Sequence, residues 1–256
     1  MLGAIAGDII GSIYEHHNTT QRDFPLFGPG CRVTDDSILT IAVAEAILTG
    51  QPFGDCIRAY YRRYPQAGYG KRFREWGDSD SPEPYFSYGN GSAMRVSPAG
   101  WAGASLEAVL ALAGQSAACT HNHPAGILGA QAVAAAIYLA RTGSSQTEIR
   151  RMVADQFGYD LSATMAELAG RRIFDVTCEG SVPQAIIAFC EATDFEDAIR
   201  NAIIIGGDSD TLACMAGAIA EAFYGGVPAP IAAQVWPYLD AALSGVVQAF
   251  TARYVK

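Results

Sequence analysis

The chain is short of positive charge: 17 Lys and Arg stand against 26 Asp and Glu, a formal net charge of -9. That balance repels nucleic-acid phosphates and acidic membrane surfaces, and no basic run overrides it locally, so no basic nucleic-acid-binding patch is expected. No apolar stretch runs uninterrupted for the roughly 18 residues that a membrane span needs, since 124–142 carries Gln131 and Arg141. A membrane protein is therefore not expected. The six cysteines (31, 56, 119, 178, 190 and 214) form no C-x-x-C pair, and several lie in apolar contexts. Reduced thiols in a cytoplasmic protein fit this best. The opening MLGAIAGDIIGSIYE lacks a basic flank and is interrupted by Asp8, so it reads as a mature helix and not as a signal peptide. G-x-S-x-G and a convincing Cys-His-Asn constellation are missing, which removes the familiar nucleophilic hydrolases, and there is neither a Walker loop nor a dinucleotide fingerprint.

Strand-like β-branched runs are nearly absent, and helical periodicity fills the rest. Segments 105–117, 125–142, 145–157, 183–192, 195–204, 211–224 and 235–254 are rich in Ala, Ile and Leu. Pro52-Phe53-Gly54, Gly143, Pro183 and Pro228-Ala229-Pro230 fall between them as breakers. The expectation is an all-α, compact single domain over 1–256. Within it, 64–100 is dense in Gly, Pro, Ser and aromatics and has little periodicity; a loop of that length is usually functional.

Two acidic motifs each precede an apolar helical segment. In Thr34-Asp35-Asp36-Ser37 the threonine can cap the helix and the carboxylates occupy its first turn, an arrangement that helix-end preferences alone would explain. Gly206-Gly207-Asp208-Ser209-Asp210-Thr211 repeats the pattern after a flexible glycine pair. Together they offer an all-oxygen ligand set suited to hard divalent cations, which would also relieve the mutual repulsion of the carboxylates if the motifs meet. Asp8 and Glu15, seven residues apart, are expected to share one face of the first helix.

Ser87-Tyr88-Gly89-Asn90-Gly91-Ser92-Ala93-Met94-Arg95 combines permissive glycines, backbone N-H groups, hydroxyls and an arginine, the chemistry of a diphosphate cradle. Tyr85, Phe86, Tyr88 and Trp76 can stack a nucleobase or pin the loop to the core. Thr120-His121-Asn122-His123-Pro124 places two imidazoles before a proline-initiated helix. As a zinc site it lacks partners, and a substrate-contact or capping role suits His121 better.

Taken together, G-A-I-A-G-D-I-I-G-S-x-Y-E at 3–15, T-D-D-S at 34–37, Y-G-N-G-S-A-M-R at 88–95, T-H-N-H-P at 120–124 and G-G-D-S-D-T-L-A-C-M-A-G-A-I-A at 206–220 resemble the ADP-ribosylglycohydrolase family in order and spacing. The resemblance implies an orthogonal helix bundle with two Mg²⁺ ions, for which Mn²⁺ can substitute. One ion would be held by Thr34, Asp35, Asp36 and Asp210, the other by Asp208, Asp210 and Thr211 with help from Asp35. It implies release of ADP-ribose from a protein side chain or small conjugate by hydrolysis of an N- or O-glycosidic bond. Glu15, Asp36 and Asp8 are then the candidate catalytic groups. Ser87, Tyr88, Gly89, Asn90, Gly91, Ser92, Met94, Arg95, His121 and Asn122 are the candidate ligand contacts. Glu15 falls where the serine-specific branch carries a catalytic glutamate, whereas T-H-x-H-P is similar to the arginine-specific branch. Two other readings remain: a catalytically silent ADP-ribose binder, and a His-x-His metal hydrolase of the amidohydrolase kind, which would need a β/α barrel.

Overall fold

A computed structural model describes residues 1–81 and 83–255. Along the chain lie α1 (Leu2–Gly11), α2 (Asp35–Thr49), α3 (Phe53–Arg63), α4 (Lys71–Asp78) and α5 (Gly91–Met94). They are followed by α6 (Ser97–Ala102), α7 (Leu106–Ala118), α8 (Pro124–Arg141), α9 (Gln146–Phe157) and α10 (Met165–Leu168). The last group is α11 (Cys178–Cys190), α12 (Phe195–Ile205), α13 (Ser209–Phe223), α14 (Ala229–Val235) and α15 (Ala241–Tyr254). No strand occurs among the described residues, only an isolated antiparallel bridge between Gly89 and Thr177. The all-α expectation holds, and a β/α barrel is excluded. One buried apolar cluster runs from Met1 to Phe250.

The contact that organises the site is α1 against α13. Gly3, Gly7 and Gly11 recur every four residues and so form one stripe on α1. A methyl group on Gly3 would collide with the Gly217 carbonyl, on Gly7 with the Ala213 carbonyl, and on Gly11 with the Asp210 backbone. The helices therefore run antiparallel with their backbones touching, which brings the end of α1 to the start of α13. At the far end Glu221 accepts from the Leu2 and Gly3 amides and the Met1 amine, occupying donors that a helix start leaves free.

Helix α8 is the central layer, packed on α5, α6, α7, α11 and α13. Its 18 residues are apolar enough by length and composition to cross a membrane, contrary to the sequence expectation, because Gln131 and the terminal Arg141 dilute the run too little. Yet 61% of it is buried inside this bundle, where Gln131 donates to the Leu110 carbonyl and Arg141 to the Gly100 carbonyl.

Four further expectations change. Pro183 lies inside α11 instead of before it: Thr177 caps the helix at the Gly180 amide, so it starts earlier and forgoes only the bond that the proline nitrogen cannot make. Segment 235–254 is broken by a 3-10 turn at Trp236–Tyr238 containing Pro237, after which Asp240 accepts from Ala242 N and Leu243 N to start α15. The 64–100 stretch contains α4, α5 and the start of α6, pinned by Tyr69 stacked on Phe73 at 5.2 Å and by buried Trp76 under the Arg58 guanidinium. Finally, α1 ends at Gly11, where Ser12 Oγ turns back to the Ile9 carbonyl, so Asp8 and Glu15 do not share a helix face.

Candidate active site

The local start of each acidic helix follows from its sequence. Thr34 is extended and its Oγ1 accepts from Asp36 N at 3.3 Å, which starts α2 with both aspartates in the first turn. Gly206 and Gly207 both take positive φ, 81° and 80°, a conformation that suits glycine and turns the chain sharply from α12 into α13. Asp208 and Asp210 then stand at the beginning of α13.

Tertiary packing brings the two starts together. Glu15, Asp208 and Asp210 each place a carboxylate oxygen within 4.8 Å of the others. Asn18 secures this, since its Oδ1 accepts from Gly207 N at 2.9 Å while its Nδ2 donates to the Glu15 carbonyl at 3.0 Å. Thr34, Asp35, Asp36 and Thr211 line the same cavity, of about 480 Å³. Asp8 lies beneath it, fully buried. Its carboxylate accepts from Thr34 N (3.1 Å), Thr34 Oγ1 (2.6 Å), Ser37 N (3.1 Å) and Ser37 Oγ, so it holds the T-D-D-S turn in place.

Crowding carboxylates in a cavity opposes their ionisation. Loss of hydration, then the charges of Asp8, Asp208 and Glu15, pushes Asp35 up to about 8. Asp36 and Asp210 are raised well above the usual range, by burial first and then chiefly by Asp210 and Asp208 respectively. Burial also raises Asp208, although hydrogen bonds from Asn90, Asp210 and Thr211 oppose it, and raises Glu15, against the nearby His16 and Arg32. Asp36 Oδ2 is buried with no hydrogen-bond partner among the described residues. An orphaned carboxyl oxygen within an all-oxygen donor set fits a hard divalent cation, which would favour the ionised form.

The glycine-rich loop borders the same cavity. Ser87, Gly89, Asn90, Gly91, Met94, Arg95 and His121 line the cavity, whereas Tyr88, Ser92 and Asn122 do not. Ser92 donates to the Gly126 carbonyl at 2.7 Å, and Asn122 Oδ1 accepts from Phe86 N at 2.8 Å, so both anchor the loop. Asn90 Nδ2 donates to Asp208 at 2.7 Å and to Ser181 at 2.9 Å, tying the loop to the acidic wall. His123 accepts from Ala125 N and so caps α8; the two imidazoles of His-x-His are committed to separate hydrogen bonds, which opposes the amidohydrolase reading.

Several lining residues escaped the sequence reading. Arg32, Lys71, Arg72, Phe174 and Val176 line the cavity, and Gly68 approaches it so closely that a Cβ there would stand 3.3 Å from Asp35 Oδ1. Lys71 and Arg72 lay within the stretch singled out as irregular. Phe174 and Val176 carried no periodic or motif signal; they reach the rim because the Asn90 amide pairs with the Val176 carbonyl at 2.7 Å.

The all-α bundle thus gathers a carboxylate cluster and a glycine-rich loop in one cavity, and the sequence matches give the class, a hydrolase acting on ADP-ribosyl linkages. The ADP-ribosylglycohydrolase profile matches residues 1–254, and the chain belongs to that family. Among curated relatives, ADP-ribosylhydrolase ARH3 of Homo sapiens is 28% identical, covering 88% of this chain and 84% of its own. The same-named protein of Xenopus tropicalis is 27% identical over 90% and 87%. A solved structure titled "ADP-ribosylglycohydrolase-related protein complex" superposes with TM-score 0.72 at 23% identity, covering 97% of this chain and 95% of that one, and so shares the fold.

Proposed function

We propose that this protein releases ADP-ribose by hydrolysing the bond between C1 of the distal ribose and a nitrogen or oxygen of an acceptor, with two Mg²⁺ ions bound. The acceptor is a modified protein side chain or a small conjugate. The observation that carries the reading is that one cavity is lined by Glu15, Thr34, Asp35, Asp36, Asp208, Asp210 and Thr211 together with Ser87, Gly89, Asn90, Gly91 and His121. The diphosphate would lie against the loop. The adenine would lie against Phe174 and Val176, exposed apolar side chains that line the cavity, with exposed Phe86 and Tyr88 flanking Ser87 in the loop.

Thr34, Asp35, Asp36 and Asp210 would hold one ion, and Asp208, Asp210 and Thr211, with Asp35, the other. When bound, such cations would offset the charge of these carboxylates and supply Lewis-acid chemistry toward the ribose hydroxyls and water. Glu15, half-buried and raised by loss of hydration, would take a proton from the attacking water as the bond from C1 to the acceptor breaks through an oxocarbenium-like state and the acceptor leaves with the bonding pair. Asp36 is the alternative base. Asp8 has its lone pairs committed to Thr34 and Ser37 and serves as a positioning group.

The test is ADP-ribose release from ADP-ribosyl-arginine, ADP-ribosyl-serine and O-acetyl-ADP-ribose, each with Mg²⁺ and with excess chelator. Release should depend on Mg²⁺, and Asp208→Asn and Asp210→Asn should lose at least about 10²-fold while remaining folded. Undiminished turnover in chelator, or by either variant, would sink the two-ion reading.

A further inference from the structure

His121 lies at the end of a chain of hydrogen bonds that begins at an arginine. Arg95 is fully buried, and no carboxylate pairs with it among the described residues. Its Nη2 donates to the Ser116 carbonyl at 2.8 Å and to Thr120 Oγ1 at 2.7 Å. Thr120 Oγ1 in turn lies 2.7 Å from His121 Nδ1, and the Cys119 thiol beside the hydroxyl is directed at the Ser116 carbonyl, 3.3 Å away.

A guanidinium has donors and no acceptor, so Arg95 takes one of the hydroxyl's lone pairs. A ring that donated from Nδ1 into the second lone pair would leave the buried hydroxyl hydrogen without a strong acceptor, since the Cys119 thiol beside it is a weak one. The arrangement that satisfies every group has Nδ1 accepting the hydroxyl hydrogen. In a neutral ring the other nitrogen carries the hydrogen. That nitrogen faces the loop: a Cβ built on Gly91 would stand 3.2 Å from Nε2, and one on Gly89 3.5 Å. Burial, followed by the charges of Arg95 and Arg72, holds His121 well below the ordinary histidine range, in keeping with a neutral ring.

We infer that Arg95 and Thr120 are positioning residues that lock His121 in its Nε2-H tautomer, so that it completes the glycine loop as a neutral hydrogen-bond donor to a diphosphate oxygen. The direction of the relay is set by the arginine. With Nε2 protonated, His121 neither ligates a cation through that atom nor acts as a base. The inference rests on the proposed diphosphate site and adds how its donor is fixed.

Long-range ¹H-¹⁵N NMR on ¹⁵N-histidine-labelled, ligand-free protein reads the tautomer directly, with His121→Gln assigning the ring. Wild type should show Nε2 protonated and Nδ1 bare. Thr120→Val should lose this pattern and bind ADP-ribose about tenfold more weakly, raising KM with kcat nearly unchanged. Thr120→Ser, which restores the hydroxyl, should rescue the pattern and the affinity. An Nδ1-H tautomer in wild type, or unaltered tautomer and affinity in Thr120→Val, overturns the relay. The predicted tautomer in a wild-type protein that binds no ADP-ribose would instead overturn the diphosphate site on which the relay's purpose rests.

Discussion

Among individual residues, the division of labour follows from which lone pairs are already engaged. Asp8 accepts from two backbone amides and two hydroxyls, so its oxygens hold a turn. Asp36 has an oxygen with no partner among the described residues, and Glu15 stands half-buried beside Asp208 and Asp210. Glu15→Ala should therefore slow turnover by about 10²- to 10⁴-fold while weakening ADP-ribose binding far less, as steady-state kinetics and calorimetry would reveal. A larger loss in binding than in turnover would make Glu15 a ligand contact. The acidic motifs were legible as residue types because helix starts favour Thr and Asp for a local reason. Glu15 was legible only as a carboxylate, since its place depends on Ser12 ending α1 and on Asn18 bonding across to Gly207.

For the helices, the glycine stripe on α1 sets how deep the site can be. A side chain at Gly7 would need space already filled by the Ala213 carbonyl and the Cys214 amide, which are backbone and cannot rotate away. Gly7→Val should cost about 3 kcal/mol or more, lowering Tm by on the order of 6–12 °C, with cation affinity falling as α13 moves off α1. Retention of wild-type Tm and cation affinity would mean that the close approach is dispensable. This stripe was visible in G-A-I-A-G-D-I-I-G, yet the spacing names no partner: nothing local to α1 identifies α13, some 200 residues later, as the helix it touches. Helix limits were similarly open wherever two local preferences competed, as at Pro183 and Pro237.

On the scale of the whole molecule, the cavity concentrates acid whose ionisation the fold opposes. In the cation-free protein Asp35 shifts from 3.8 to about 8, and Asp36, Asp208, Asp210 and Glu15 shift the same way. The folded state then binds more protons than the unfolded one, so these groups stabilise it fully at low pH and the contribution is lost as pH rises from about 4 towards 8. His121, shifted down, acts in the opposite sense, but equally with and without cation. The difference in Tm between Mg²⁺ and chelator should accordingly widen from pH 5 to pH 8; a difference that stays constant or narrows would contradict the site's electrostatics. What the sequence alone determined was the helical class and the oxygen-rich helix starts, because periodicity, capping and glycine chemistry act within a few residues. Only the tertiary structure decided that two acidic starts, a glycine loop and one imidazole share a cavity, because backbone contact between α1 and α13 and the packing around α8 join segments whose own sequences carry no record of each other.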